Sequence, residues 1–172
     1  MTAAPIFVLA FLPMILEAAL SARNEASLRA LGAQEPAGDV FRAMQVGYPA
    51  AFLVMIAEAG WRQPAFDAVA AFGLATFIAA KLLKYWAIAT LGPRWTFRVL
   101  VPPGATAVAS GPYRFYRHPN YAAVTGELLG VAFMAHSIVA GPLATIAFVL
   151  LIRRRIAVEE RALGLRGMEP VR

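Results

Sequence analysis

The stretch FDAVAAFGLATFIAAKLLKYWAIATL, from Phe66 to Leu91, decides the class of fold. Its only charged residues are Asp67 near its start and Lys81 and Lys84 in its second half. A helix needs about 20 predominantly apolar residues to cross the hydrocarbon core of a bilayer. This stretch is long enough, so it predicts a transmembrane helix.

Four further apolar stretches surround it. They run from about Pro5 to Leu20, from Met44 to Ala59, from Tyr121 to Ser137, and from the break at Gly141-Pro142 to Ile152. The first has no Lys or Arg before Arg23, so it lacks the basic start of a signal peptide and is predicted to be a retained helix.

The composition agrees with a membrane protein. The chain is 60% hydrophobic and 15% charged, whereas soluble domains carry about 25% charged residues. We therefore predict an all-α integral membrane protein with a bundle of about five transmembrane helices in a single domain, residues 1–172. Residues 1–91 would hold three spans, 92–118 a linker, and 119–165 a C-terminal helical pair. The linker, with a Pro-Pro-Gly turn between 99–101 and 107–109, is predicted to be a short hairpin or an extended lid.

Basic residues indicate the orientation. With five spans, one face holds the loop at 21–42, the loop at 92–118 and the C-terminal tail, and most of the 16 Lys and Arg residues belong to this face. They are Arg23, Arg29, Arg42, Arg94, Arg98, Arg114, Arg117, Arg153, Arg154, Arg155, Arg161, Arg166 and Arg172. The opposite face has Arg62 alone. By the positive-inside rule, the basic face is predicted to be cytoplasmic and the N-terminus external.

The first polar cluster is GPYRFYRHPNY, Gly111 to Tyr121. Pro119 suits the first turn of a helix, where its missing N–H is not needed. Arg117 and His118 would then lie at the positive end of the helix dipole, which suits an anion such as a carboxylate.

The second polar cluster is RRRIAVEERALG, Arg153 to Gly164, at the end of the fifth span. Glu159 or Glu160 would meet a cation such as an ammonium. Because only a few residues join spans four and five, the two should be antiparallel, which places both clusters at the same membrane depth. Together they would hold both ends of a zwitterion.

Structural roles are alternatives for the same residues. Arg153 and Arg154 are typical of a stop signal at a membrane exit, and Arg155 with Glu159 would make a surface ion pair worth less than about 1 kcal/mol. His118 alone would more often be structural than catalytic.

Two acidic residues inside apolar spans offer another structural role. Glu127 and Glu58 would pair with Lys81 or Lys84 and hold the bundle together. Such intramembrane charges are costly, so each of them needs a partner or a function.

Several classes of site are not supported. The chain has no cysteine, and it contains neither G-x-G-x-x-G after a strand nor G-x-x-x-x-G-K-[ST], so dinucleotide and P-loop sites are not predicted. With only His118 and His136, no metal site is predicted. The net charge of +6 is explained by the loops, so nucleic acid is not a predicted partner.

The motif GPYRFYRHPNY, followed further along the chain by RIAVEERALG, resembles the isoprenylcysteine carboxyl methyltransferase family. These are integral-membrane enzymes that use S-adenosyl-L-methionine. The resemblance covers roughly residues 80–165. The stretch RNEASLRALGAQE is similar to the first cytoplasmic loop of a bacterial branch associated with polyketide synthases that make long-chain resorcinols and pyrones, which implies the bacterial inner membrane.

The resemblance implies a cofactor pocket at the cytoplasmic end of the last two helices, covered by the linker. The residues that it implies for the cofactor site are Tyr113, His118, Pro119, Tyr121 and Glu159 or Glu160. It places Arg117 and Arg155 nearest the cofactor or an anionic acceptor.

A sulfonium methyl group is already activated, so such an enzyme mainly aligns the acceptor and excludes water. A carboxylate acceptor needs orientation by Arg155 or Arg117. A phenol, with a pKa near 10, needs a base, for which His118 and Glu127 are candidates. The lipophilic acceptor would enter from the bilayer.

The alternative function is a non-enzymatic membrane carrier or assembly protein that uses its intramembrane charges. A carrier needs a polar path across the whole bilayer, whereas this sequence concentrates polar residues at one end, which favours the enzyme.

Overall fold

The computed structural model describes residues 3–164, and Arg166 and Arg172 of the predicted basic face lie outside them. Within residues 3–164, five α-helices follow one another: α1 (Ala3–Ala30), α2 (Phe41–Arg62), α3 (Ala68–Leu91), α4 (Pro119–Met134) and α5 (Ala140–Ala162). Short 3-10 helices cover Gly92–Arg94 and Gly111–Arg114. The all-α fold and its five helices are confirmed. Helix α1 is longer than predicted, because it continues past Leu20 to Ala30.

Three of these helices are long and apolar enough to cross a membrane: α1, α2 and the helical stretch from Ala68 to Arg94. Helix α4 has 16 residues, and α5 carries Arg153, Arg154 and Arg155. Large apolar side chains point outward along the bundle, as expected of surfaces that face lipid. They include Leu12, Ile15, Leu53, Phe72, Leu82, Leu143 and Ile146.

Helices α3 and α4 pack with their backbones in contact. Gly126 and Gly130 of α4 form a small-xxx-small motif, which lets membrane helices approach closely. A Cβ atom added to Gly130 would lie 2.7 Å from the backbone nitrogen of Phe77. One added to Gly73 of α3 would lie 2.5 Å from the backbone nitrogen of Met134. No side chain fits at these two glycines.

Replacing Gly130 with alanine is therefore expected to destabilise the protein by about 1–3 kcal/mol, because a backbone on the other side cannot give way. Thermal unfolding in detergent, followed by circular dichroism, measures the change. The matched control is Gly60→Ala in α2, where an added Cβ has nothing within 4 Å. The control should be neutral or stabilising, since alanine is the better helix former. Equal losses in the two variants would contradict the packing argument.

Glu58 holds the end of the bundle where α4 turns into α5. Its carboxylate accepts a hydrogen bond from the hydroxyl of Ser137 at 2.6 Å and further bonds from the backbone N–H groups of residues 138–140. The N–H groups of residues 139 and 140 are among the donors that a helix start leaves without a partner. The predicted pairing of Glu58 with Lys81 or Lys84 is wrong, since Glu58 is occupied at the start of α5.

A group of buried charges lies inside the bundle. Glu127 of α4 pairs with Lys81 at 3.1 Å and with Lys84 at 3.3 Å, as predicted. Glu17 of α1, instead of Glu58, completes the group at 2.8 Å from Lys81 and 2.6 Å from Lys84. Tyr48 of α2 donates a hydrogen bond to Glu127. These five residues, here called the charge cluster, join four helices.

The linker lies extended against the end of α1 and the first loop. Val101 pairs with Gln34 through two backbone hydrogen bonds, and the side chain of Asn24 donates to the carbonyl oxygen of Trp95 at 2.8 Å. The predicted hairpin between 99–101 and 107–109 therefore does not form, because Val101 is paired with the first loop. The first loop and the linker lie at the same end of the bundle, here called the linker end.

Candidate functional site

The two predicted polar clusters meet at the linker end. His118 is the residue directly before α4, and its Nε2 atom lies 3.2 Å from the Oε1 atom of Glu160 near the end of α5. One turn further into the bundle, the hydroxyl of Tyr121 donates to Glu159 at 2.8 Å. The antiparallel course of α4 and α5 produces this meeting, as predicted from their short connection.

Arg155 connects three separate parts of the chain. Its Nε atom donates to the hydroxyl of Tyr121 at 2.9 Å, its Nη1 atom to Asp39 at 2.9 Å, and its Nη2 atom to the carbonyl oxygen of Phe97. The side chain is 5% exposed. The predicted surface ion pair with Glu159 is wrong, because Arg155 is buried and pairs with Asp39, and Tyr121 lies between Arg155 and Glu159.

A first cavity of about 160 Å³ lies between the linker and the ends of α4 and α5. Six predicted site residues line it: Tyr113, Arg117, His118, Tyr121, Arg155 and Glu159. The linker supplies most of the remaining wall. Pro119 is buried at the first turn of α4, and Glu160 reaches the cavity through its contact with His118.

Tyr113 lies in the wall of the first cavity. Burial raises the pKa of the Tyr113 phenol, and the nearby carboxylate of Glu159 raises the pKa further. The phenol therefore stays protonated at neutral pH, so Tyr113 is suited to bind a ligand and not to act as a base.

A second cavity of about 380 Å³ lies beside the first, toward α1 and α2. The residues shared by the two cavities form a common wall, here called the shared wall: Trp95, Thr96, Arg98, Asn120, Tyr121 and Arg155. Much of the remaining lining is apolar and includes Met14, Ala18, Phe41, Met44 and Phe148. A polar and a more apolar chamber thus adjoin across one layer of side chains.

The predicted site residues do not all lie together. Glu127 is in the charge cluster and is not among the residues that line either cavity. Tyr48 and Lys84, which line the second cavity, connect that cluster to it. Sequence reasoning missed Tyr48 and Asp39. A tyrosine inside an apolar span is a usable signal, whereas nothing in the sequence marks Asp39.

Residues 73–164, more than half of the chain, match the isoprenylcysteine carboxyl methyltransferase family. The chain belongs to this family. The matched part contains every predicted site residue. In this family member, α1 and most of the second cavity's apolar lining fall outside the match.

Two curated relatives were found for this family member. It is 36% identical over 89 residues to "Uncharacterized protein YpbQ" of Bacillus subtilis, an alignment that covers 52% of this chain and 53% of the relative. It is 25% identical over 146 residues to an "Uncharacterized protein" of Haemophilus influenzae, covering 84% and 85% of the two chains. The chain thus spans about half the length of the Bacillus relative. No solved structure matches it.

Proposed function

We propose that the protein is a membrane methyltransferase that uses S-adenosyl-L-methionine to methylate a carboxylate or hydroxyl oxygen of a lipophilic acceptor. The observation that carries this proposal is the adjoining pair of cavities. One is lined by both predicted polar clusters, and the other is largely apolar. Transfer from a polar cofactor to a lipophilic acceptor needs two adjoining chambers whose boundary lets the acceptor oxygen reach the methyl carbon.

The residues of the first cavity fit the cofactor. The amino-acid end of the cofactor carries an ammonium and a carboxylate. Glu159 would bind the ammonium through its carboxylate, and Arg117 and His118 would donate hydrogen bonds to the carboxylate. At about 160 Å³ the cavity is smaller than the ~300 Å³ at which small-molecule sites begin. We therefore expect the linker to move outward on binding. When bound, the cofactor supplies a methyl group that is already activated by its sulfonium.

The chain's own residues would align the acceptor and exclude water. From the shared wall, Arg155 holds both Tyr121 and the linker carbonyl of Phe97, which fixes the boundary that an acceptor must approach. Fixing two reactants in line supplies much of the rate enhancement when no strong acid or base is required.

The charge distribution supports an orientation for this enzyme. The basic loops lie at the linker end, so this end is proposed to face the cytoplasm, with the N-terminus outside and the protein in the inner membrane of a bacterium. The cofactor would then enter from the cytosol and the acceptor from the bilayer.

The carrier hypothesis has weaker support. The charge cluster pairs its two lysines with its two glutamates. The first and second cavities lie toward the linker end of the bundle, whereas a carrier needs a polar path between both ends.

Calorimetric titration with S-adenosylhomocysteine tests the proposed function. Wild-type protein should bind it, and Glu159→Ala and His118→Ala should each weaken binding at least about tenfold, or 1.4 kcal/mol. Arg153→Ala, an exposed arginine on the same helix, is the control and should bind like the wild type. No binding by the wild type would reject the enzyme, and unchanged binding by both cavity variants would reject the site.

A further inference from the structure

The hydrogen bonds of the second cavity indicate which acceptor oxygen it takes. Tyr48 lines this cavity and donates its hydroxyl proton to Glu127. A tyrosine hydroxyl has one proton to donate and otherwise only accepts. While the bond to Glu127 is made, the oxygen of Tyr48 can therefore interact with a ligand only as an acceptor. The Tyr48 oxygen therefore favours a ligand group that donates a hydrogen bond.

The cations that line the second cavity also favour a neutral ligand that donates a hydrogen bond. Among the described residues that line the cavity, the cations are Lys84, Arg98 and Arg155. Each of them is already paired with a carboxylate: Lys84 with Glu17 at 2.6 Å, Arg98 with Glu35 at 2.9 Å, and Arg155 with Asp39 at 2.9 Å. Glu25 and Glu127 add further carboxylates to these pairs. An ionised carboxylate ligand would therefore meet cations whose charges are already offset.

We propose that the second cavity binds its acceptor as a neutral hydroxyl, which donates a hydrogen bond to Tyr48, and that it discriminates against an ionised carboxylate. Tyr48 is then a catalytic residue, and the charge cluster positions it. This inference rests on the proposed function, because it assigns the acceptor class of the same pair of cavities.

The same hydrogen bonds give the acceptor's proton a route. As the bond between the acceptor oxygen and the methyl carbon forms, the bond between that carbon and sulfur breaks, and the sulfonium becomes a neutral thioether. The hydroxyl proton passes to the oxygen of Tyr48 while the proton of Tyr48 passes to Glu127. Glu17 offsets one of the two lysine charges, so Glu127 does not face two uncompensated cations.

The binding test uses three probes that differ only in the polar head: 4-dodecylphenol, its methyl ether 4-dodecylanisole, and 4-dodecylbenzoate. Each is titrated into the full-length protein in lipid nanodiscs with saturating S-adenosylhomocysteine. The phenol should bind about tenfold more tightly than either of the others. Tyr48→Phe should abolish this preference, because it removes the accepting oxygen and keeps the ring contacts with Phe52 and Phe148.

The matched control is Tyr85→Phe. Tyr85 also lies against a lysine of the charge cluster, with the Nζ atom of Lys81 at 5.9 Å from its ring, but it does not line the second cavity. The preference for the phenol should survive in this variant. In turnover with labelled cofactor, Tyr48→Phe should lower kcat for the phenol by about 10²-fold, the low end for loss of a proton-transfer group.

Several outcomes would overturn the inference. These are equal affinity of the wild type for the three probes, tighter binding of the benzoate, absence of phenol binding, or an unchanged preference in Tyr48→Phe. Binding of S-adenosylhomocysteine is measured separately in each variant. If it persists while one of these outcomes occurs, the acceptor assignment fails and the proposed function does not. The inference requires that Tyr48→Phe keep that affinity within about twofold.

Discussion

Replacing Lys84 with methionine is expected to lower the free energy of unfolding by about 3–5 kcal/mol. Lys84 is 2% exposed and lies between the carboxylates of Glu17 and Glu127. Without it, two buried carboxylates share the single charge of Lys81 in surroundings with little water. Removing one partner of a buried ion pair costs far more than the pair contributes, because the remaining charge stays desolvated. Thermal and denaturant unfolding in a fixed detergent measure the loss.

A second substitution tests the electrostatic origin of this loss. Adding Glu17→Gln to Lys84→Met leaves one lysine opposite one carboxylate, so most of the stability should return. Arg62→Met is the control, since Arg62 is 42% exposed and lies 3.9 Å from Glu58, a pair expected to contribute less than about 1 kcal/mol. If the double variant were less stable than Lys84→Met, lost packing and not unbalanced charge would explain the effect.

Replacing Arg155 with alanine is expected to cost a similar amount, about 3–5 kcal/mol, and also to release the linker. Asp39 would remain buried without its cation, and the carbonyl of Phe97 would lose its donor. Hydrogen exchange followed by mass spectrometry should therefore show faster exchange in residues 34–39 and 97–101. Binding of S-adenosylhomocysteine should weaken as well, because Arg155 and residues 98–101 line the first cavity.

Two variants complete the Arg155 experiment. Arg154→Ala removes the neighbouring exposed arginine and should change stability by less than about 0.5 kcal/mol. Arg155→Lys keeps the charge but not the planar fork that reaches three partners. It should recover part of the stability but not the slow exchange of the linker. Normal linker exchange in Arg155→Ala would mean that the linker's other contacts, which include the backbone pairing of Gln34 with Val101, are enough to hold it.

The sequence was sufficient for the features that depend on local patterns. Apolar length predicted five helices, and the short connection at residues 135–139 predicted that His118 would face Glu159 and Glu160. Both predictions use distances along one helix or across one turn, which the geometry of an α-helix fixes. A pairing of Glu127 with Lys81 or Lys84 was also predicted, because buried charges need partners, and Glu127 pairs with both.

Other features depend on contacts between distant parts of the chain, and the sequence did not reveal them. Helix α1 continues to Ala30 because its polar last turns bind the linker: Ser21 accepts from the backbone N–H of Phe97 at 2.7 Å, and Asn24 donates to Trp95. The sequence prediction ended this helix at Leu20 because it followed the length of the apolar stretch, which covers only the part of the helix expected in the membrane. Asp39 likewise has no local signal, because its role is set by Arg155, far along the chain.

The backbone contact between α3 and α4 also constrains the route by which a long-chain molecule reaches the reaction chamber from the side. The glycines at that contact have no side chain that could change rotamer to open a gap. A path between α3 and α4 would therefore require the two helices to move apart as whole helices. Helices α1 and α2 instead each place a flexible methionine, Met14 and Met44, in the lining of the apolar chamber. We therefore expect a lipophilic acceptor to enter from the bilayer between α1 and α2. These two helices lie in the part of the chain that the family match does not include.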